Sequence, residues 1–125
     1  MCVPYFLTTV FLLALDGIYI TLNQNFFESN ISRIQHAPLK VNYLGLILCY
    51  FALITGLYYF IIRLNRSPLD AFLLGVFVYG VYETTNYATF QKWKQELVIM
   101  DTIWGGVLFA LTTFLVKFAV RKLRL

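Results

Sequence analysis

Four apolar blocks of near-membrane length, separated by polar stretches, divide this chain of 125 residues. The first runs from about Pro4 to Leu22, the second from about Leu39 to Ile62, the third from about Leu69 to Tyr87 and the fourth from about Leu97 to Ala119. A helix needs about 20 apolar residues to cross the hydrocarbon of a bilayer. Lipid offers backbone N–H and C=O groups no water to bond, which leaves helices and closed barrels as the only spanning forms. Blocks of this length predict helices. The expected fold is therefore all-α: a four-helix transmembrane bundle with short loops and both termini on the same side, forming a single integral membrane domain over residues 1–125. Composition agrees. Apolar residues make up 60% of the chain and charged residues 13%, against about 45–50% and about 25% in soluble domains.

Local signals mark the block ends. Pro4, Pro38 and Pro68 fall at or just before block starts, where first-turn N–H groups have no helical partner and proline is tolerated. Ser67-Pro68-Leu69-Asp70 adds an N-cap with an acid in the first turn. Residues 63–68 and 88–96 are short connections, so the helices they join are expected to run antiparallel. The first loop, about residues 23–38, is the longest and most polar, and part of it is expected to lie at the interface on Phe26 and Phe27. No Lys or Arg precedes Arg33. The first block thus lacks the basic start of a cleavable signal peptide and reads as a retained span. Small residues four apart, Ala52/Gly56, Ala71/Gly75 and Gly106/Ala110, mark places where helix backbones can approach closely.

Charge sets orientation and limits function. In a four-span topology Arg63, Arg66, Lys117, Arg121, Lys122 and Arg124 share the side of the termini, and Arg33, Lys40, Lys92 and Lys94 lie opposite. The excess of basic residues places both termini in the cytoplasm. The C-terminal group Lys117, Arg121, Lys122 and Arg124 is expected to contact anionic lipid or an acidic partner. These cations flank membrane blocks and do not form a nucleic-acid surface. His36, Cys2 and Cys49 are too few and too scattered for a zinc site. No phosphate-binding Gly-rich loop, nucleophile elbow or Cys-x-x-Cys occurs. No metal and no cofactor is expected.

Against this background Asp16, Glu83 and Asp101 stand out, half of the six acids, all inside apolar blocks. An acid near the bilayer centre costs roughly 2.5–3.5 kcal/mol on insertion scales. Counting residues from each block end places all three at one depth, displaced towards the side of the first and third loops. Each has a hydrogen-bonding residue three positions later, giving Asp16/Tyr19, Glu83/Asn86 and Asp101/Trp104 on shared helix faces. No Lys or Arg lies inside a span near them, so a network sharing protons among acids, amide and aromatic donors is expected. Most remaining Tyr and Phe residues, Tyr43 and Tyr58-Tyr59-Phe60 among them, read as lipid-facing or interfacial.

The same residues carry a resemblance. Leu15-Asp16-Gly17-Ile18-Tyr19, Tyr79-Gly80-Val81-Tyr82-Glu83-Thr84-Thr85-Asn86 with Ala88-Thr89 and Trp93, and Asp101-Thr102-Ile103-Trp104-Gly105 resemble a family of short four-span membrane proteins, domain of unknown function twenty-one seventy-seven. Family members commonly carry Trp where Tyr19 stands and Asp where Glu83 stands. The resemblance implies a four-helix membrane fold and a role for the Asp/Glu/Asn/Trp set, with no known activity, substrate or cofactor. Similar short versions in large DNA viruses make an internal virion membrane one expected setting.

The leading expectation is a non-enzymatic structural or interaction component of a membrane, with lipids and other membrane or capsid-type proteins as partners. A lipid-modifying enzyme or accessory using Asp16, Glu83 and Asp101 as acid–base groups is one alternative. Proton or cation translocation through the carboxylate layer is another.

Overall fold

The computed structural model describes residues 2–26, 42–90 and 93–123, and within them the chain is helical with no strand. Helix α1 runs Cys2–Leu22 and α2 runs Tyr43–Leu57, continuing through a π-helical turn at Tyr58–Ile62. Helix α3 spans Pro68–Thr89 and α4 spans Gln95–Leu123. Among the described residues three stretches are long and apolar enough to cross a membrane: Val3–Leu22, Tyr43–Ile62 and Gln95–Leu123, with mean hydropathy 1.7, 2.1 and 1.9 in their most apolar windows. Helix α3 has the length, at 22 residues, but Glu83, Thr84, Thr85 and Asn86 near its end lower its hydropathy.

The helix ends follow local chemistry. Ser67 has extended backbone and its hydroxyl accepts from the Asp70 N–H at 3.1 Å, with Pro68 in the first turn. This is the cap expected from the sequence. Helix α2 begins at Tyr43, later than the apolar block suggested, because the Asn42 side chain accepts from the Gly45 N–H at 3.1 Å and stops the helix there. Its other end closes on Asn65 at φ 54°. The Arg66 N–H bonds the Ile61 carbonyl and the Asn65 N–H bonds the Ile62 carbonyl, the crossed pair that satisfies orphan carbonyls beyond a left-handed residue. Arg63 lies over the Tyr59 ring at 4.2 Å, an arrangement suited to a helix end at the membrane surface.

Helix α4 is the centre of the assembly. Of its most apolar window 39% is buried, against 17% for α1 and for α2. It packs most extensively on α3, and three glycines explain how. A Cβ on Gly75 would lie 2.6 Å from the Gly105 carbonyl carbon and 2.9 Å from the Gly106 Cα, so the two backbones touch there. Gly105 sits under Tyr79, and Gly106 under Phe72 and Val76. Ala71 and Gly75 are both buried, as is Gly106. The Ala52/Gly56 pair does not behave this way: Ala52 is exposed and a Cβ on Gly56 would meet nothing within 4 Å. Helix α2 instead packs through the stripe Tyr50, Leu53, Ile54, Leu57 and Ile61. Large side chains fill its interface, leaving the small pair on the outer face.

The apolar core joins Leu12, Ile54, Leu57, Ile61, Ala71, Leu108 and Phe109. Tyr5 fastens α1 to α2, sharing a 2.9 Å hydrogen bond with Thr55 and meeting Tyr58 edge-on at 5.3 Å. Both tyrosines are half-buried, each with one side against its neighbour. Around this core large apolar residues such as Phe6, Phe51, Phe77 and Phe118 are more than half exposed. Lipid, not water, is the solvent such a surface fits.

Candidate functional site

Helix periodicity carries the acids inward. On α1, Thr8, Leu12 and Asp16 lie four apart and all are buried. On α3 the four-residue series Ala71, Gly75, Tyr79 and Glu83 faces α4, and Glu83 is fully buried. On α4, Leu97, Asp101, Trp104 and Leu108 form the corresponding stripe. These faces meet at one cleft of about 560 Å³ that Asp16, Glu83 and Asp101 all line. Leu46, Cys49, Tyr50 and Leu53 of α2 form another wall, opposite Val78, Tyr79 and Tyr82 of α3. Helices α2 and α3 are not closely packed on each other, so the cleft lies between them with the acids along its floor.

Hydrogen bonds cross between helices. Trp104 Nε1 of α4 donates to Asp16 Oδ1 of α1 at 2.9 Å. The Tyr50 hydroxyl of α2 donates to the other oxygen of Asp16. Asp16 therefore ties three helices. The Tyr19 hydroxyl of α1 donates to Asp101 Oδ1 of α4 at 2.7 Å, and the Tyr19 and Trp104 rings stack at 4.5 Å with an angle of 4° between planes. Each acid thus takes its donor from another helix, and the i,i+3 pairs Asp16/Tyr19 and Asp101/Trp104 exchange partners. Glu83 differs. Its Oε2 accepts from Trp93 Nε1 at 2.9 Å, while its Oε1 is buried with no donor. Asn86, one turn beyond Glu83, does not line the cleft.

Tyr50, Tyr79 and Trp93 were not singled out as cluster members from sequence. Tyr79 was findable, since it precedes Glu83 by one turn on the same stripe. Tyr50 sits in a uniformly apolar block and carries no local signal, whereas Trp93, before α4 and outside any periodic pattern, was marked only by the family resemblance.

Among the described residues, the cleft walls hold no Lys or Arg. Among the described residues no group of three or more His, Cys, Asp or Glu side chains is placed to hold a metal ion. The three acids share one cavity, with Glu83 and Asp101 as neighbours in it. Elsewhere, Lys94 lies 5.4 Å from the centre of the Phe26 ring. Arg121 and Lys122 occupy the exposed last turn of α4 and Lys117 is half-buried one turn earlier. Phe27, Arg33, His36, Lys92 and Arg124 lie outside the described residues.

No curated protein and no solved structure matches the chain. The model of a family described as predicted membrane protein (DUF2177) matches residues 1–118, a span that includes every acid, tyrosine and tryptophan of the cleft. The chain belongs to this family of membrane proteins.

Proposed function

We propose that this protein is a four-span integral membrane protein that serves as a structural or interaction component of its membrane, with buried acids that hold helices together and turn over no substrate. The observation that carries this reading is the cross-helix bonding of Asp16 and Asp101, through Trp104, Tyr50 and Tyr19. Interhelical hydrogen bonds in membranes are worth roughly 0.6–2 kcal/mol each, enough in sum to set which helices pair. An acid held by two aromatic donors is fully engaged in structure. Backbone contact between α3 and α4 at Gly75 and Gly105 supports α3 as the fourth span, because a helix so closely joined to α4 must share its depth. The preponderance of basic residues at the α2–α3 turn and beyond α4 supports cytoplasmic termini. The exposed basic end of α4 is suited to anionic headgroups or an acidic partner.

The test compares Asp16→Asn and Asp101→Asn with wild type in the native membrane. Both variants should melt at lower temperature after purification while the lipid composition of the membrane stays unchanged. A change in lipid composition that depends on either carboxyl would establish lipid-modifying chemistry and overturn the structural reading. Wild-type protein that cross-links to nothing in its native membrane would also count against it.

A further inference from the structure

Resting on the reading above, in which the bundle is held by its acids and surrounded by lipid, the cleft between α2 and α3 has a chemistry that the clamp does not use. We propose that it binds a single-chain amphiphile with a primary ammonium head, the head beside Glu83 and the alkyl chain between α2 and α3.

Four observations converge on that ligand. Glu83 is fully buried, and its Oε1 has no donor among the described residues. A buried acceptor left unpaired is costly, and an N–H donor arriving from a ligand relieves that cost. Three carboxyls line the cleft and, among the described residues, no Lys or Arg does, so the charge that complements it is positive. A phosphate or fatty-acid head would meet only like charge. Aromatic side chains add to the preference: Tyr19, Tyr79, Tyr82 and Trp104 line the same space, and aromatic rings attract ammonium groups, more so away from water. The fourth observation is that no three of the acids are grouped as metal ligands among the described residues, which disfavours a bare ion and suits a head with several N–H donors.

The rest of the cavity fits the tail. Leu46, Leu53 and Val78 form its apolar walls, and Leu46 and Val78 are exposed at its rim, where a chain can enter sideways from the bilayer. A volume of about 560 Å³ lies within the roughly 300–1,000 Å³ of ordinary small-molecule pockets.

The protein carries its own reporters. The chain has two tryptophans, Trp93 and Trp104, and both line the cleft. With the full chain in phosphatidylcholine nanodiscs, a bromoalkylamine and the bromoalkanoic acid of equal chain length are titrated and tryptophan quenching is followed. The amine should half-quench at a mole fraction about tenfold lower than the acid, the scale of one charge-assisted hydrogen bond gained. Glu83→Gln keeps an oxygen for Trp93 while removing the charge, and should erase most of that difference. Val78→Trp, at the rim and away from the acids, should block the cleft and remove amine protection of the bundle against thermal unfolding. Equal quenching by amine and acid in wild type would overturn the proposal. So would a Glu83→Gln protein that melts like wild type and keeps the full preference for amine. Either result leaves the helix clamp standing, since that rests on the melting of the Asp16 and Asp101 variants.

Discussion

Replacing Gly75 by alanine places a single methyl group where α3 and α4 touch. Its Cβ would lie 2.6 Å from the Gly105 carbonyl carbon and 2.9 Å from the Gly106 Cα. Carbon atoms rest about 3.5–4.0 Å apart, so the helices must part by on the order of 1 Å. The obstructing atoms are backbone and cannot rotate aside. A gap of that size forfeits about a quarter to a half of each contact along the interface, and overpacking of this kind typically costs about 1–3 kcal/mol. Alanine recovers up to about 1 kcal/mol through helix propensity. Because the collision is with backbone, the net effect should be a destabilisation of about 1–2 kcal/mol. Internal controls isolate the cause. A Cβ on Gly17 or Gly56 would meet nothing within 4 Å, so Gly17→Ala and Gly56→Ala carry the propensity gain without the collision. Reversible unfolding of the purified protein in mixed micelles, titrated with denaturing detergent, measures all three. Gly75→Ala should fall below wild type while both controls equal or exceed it. If Gly75→Ala proves as stable as the controls, the backbone contact between α3 and α4 is wrong, and with it the main argument for α3 as a span.

Other perturbations probe other joints. A double-mutant cycle of Tyr19→Phe and Asp101→Asn should show coupling of about 0.6–2 kcal/mol, whereas strictly additive losses would mean that the 2.7 Å bond between them contributes nothing. Glu83→Leu should insert normally but lower the melting temperature, because it removes the acceptor of Trp93, and unchanged melting would refute that role. Ser67→Ala should cost about 1 kcal/mol through loss of the cap on α3, and Ser67→Asp, which restores an acceptor, should recover most of it. Arg66→Ala should change stability by less than about 0.5 kcal/mol in the same assay, since its ion pair with Asp70 is 3.9 Å long and exposed.

Much of the helix layout was written locally. Ser67 and Pro68 announced the start of α3, and the pairs Ala71/Gly75 and Gly106/Ala110 pointed to a close crossing, where Gly75 and Gly106 do make backbone-level contact. Ala52/Gly56 bears the same pattern on an outward face, because a spacing of four describes a stripe without saying which stripe is covered. Asp16, Glu83 and Asp101 were conspicuous for the same reason that they are expensive: each lies well inside an apolar block. Their partners were another matter. Spacing along one helix paired Asp16 with Tyr19 and Asp101 with Trp104, whereas the folded chain joins Asp16 to Trp104 and Tyr50, and Asp101 to Tyr19.

By itself the sequence determined that the chain is helical and belongs in a membrane, where α3 begins, and which side chains are too polar to face lipid. Those properties depend on neighbours within about a turn and on the cost of exposing backbone and charge to hydrocarbon. The tertiary structure alone decided which donor meets which acid, that Tyr50 and Trp93 join them, and that a cleft opens where α2 and α3 fail to close. Such contacts depend on the rotation and crossing of whole helices, which large side chains and glycines set together and no single segment encodes.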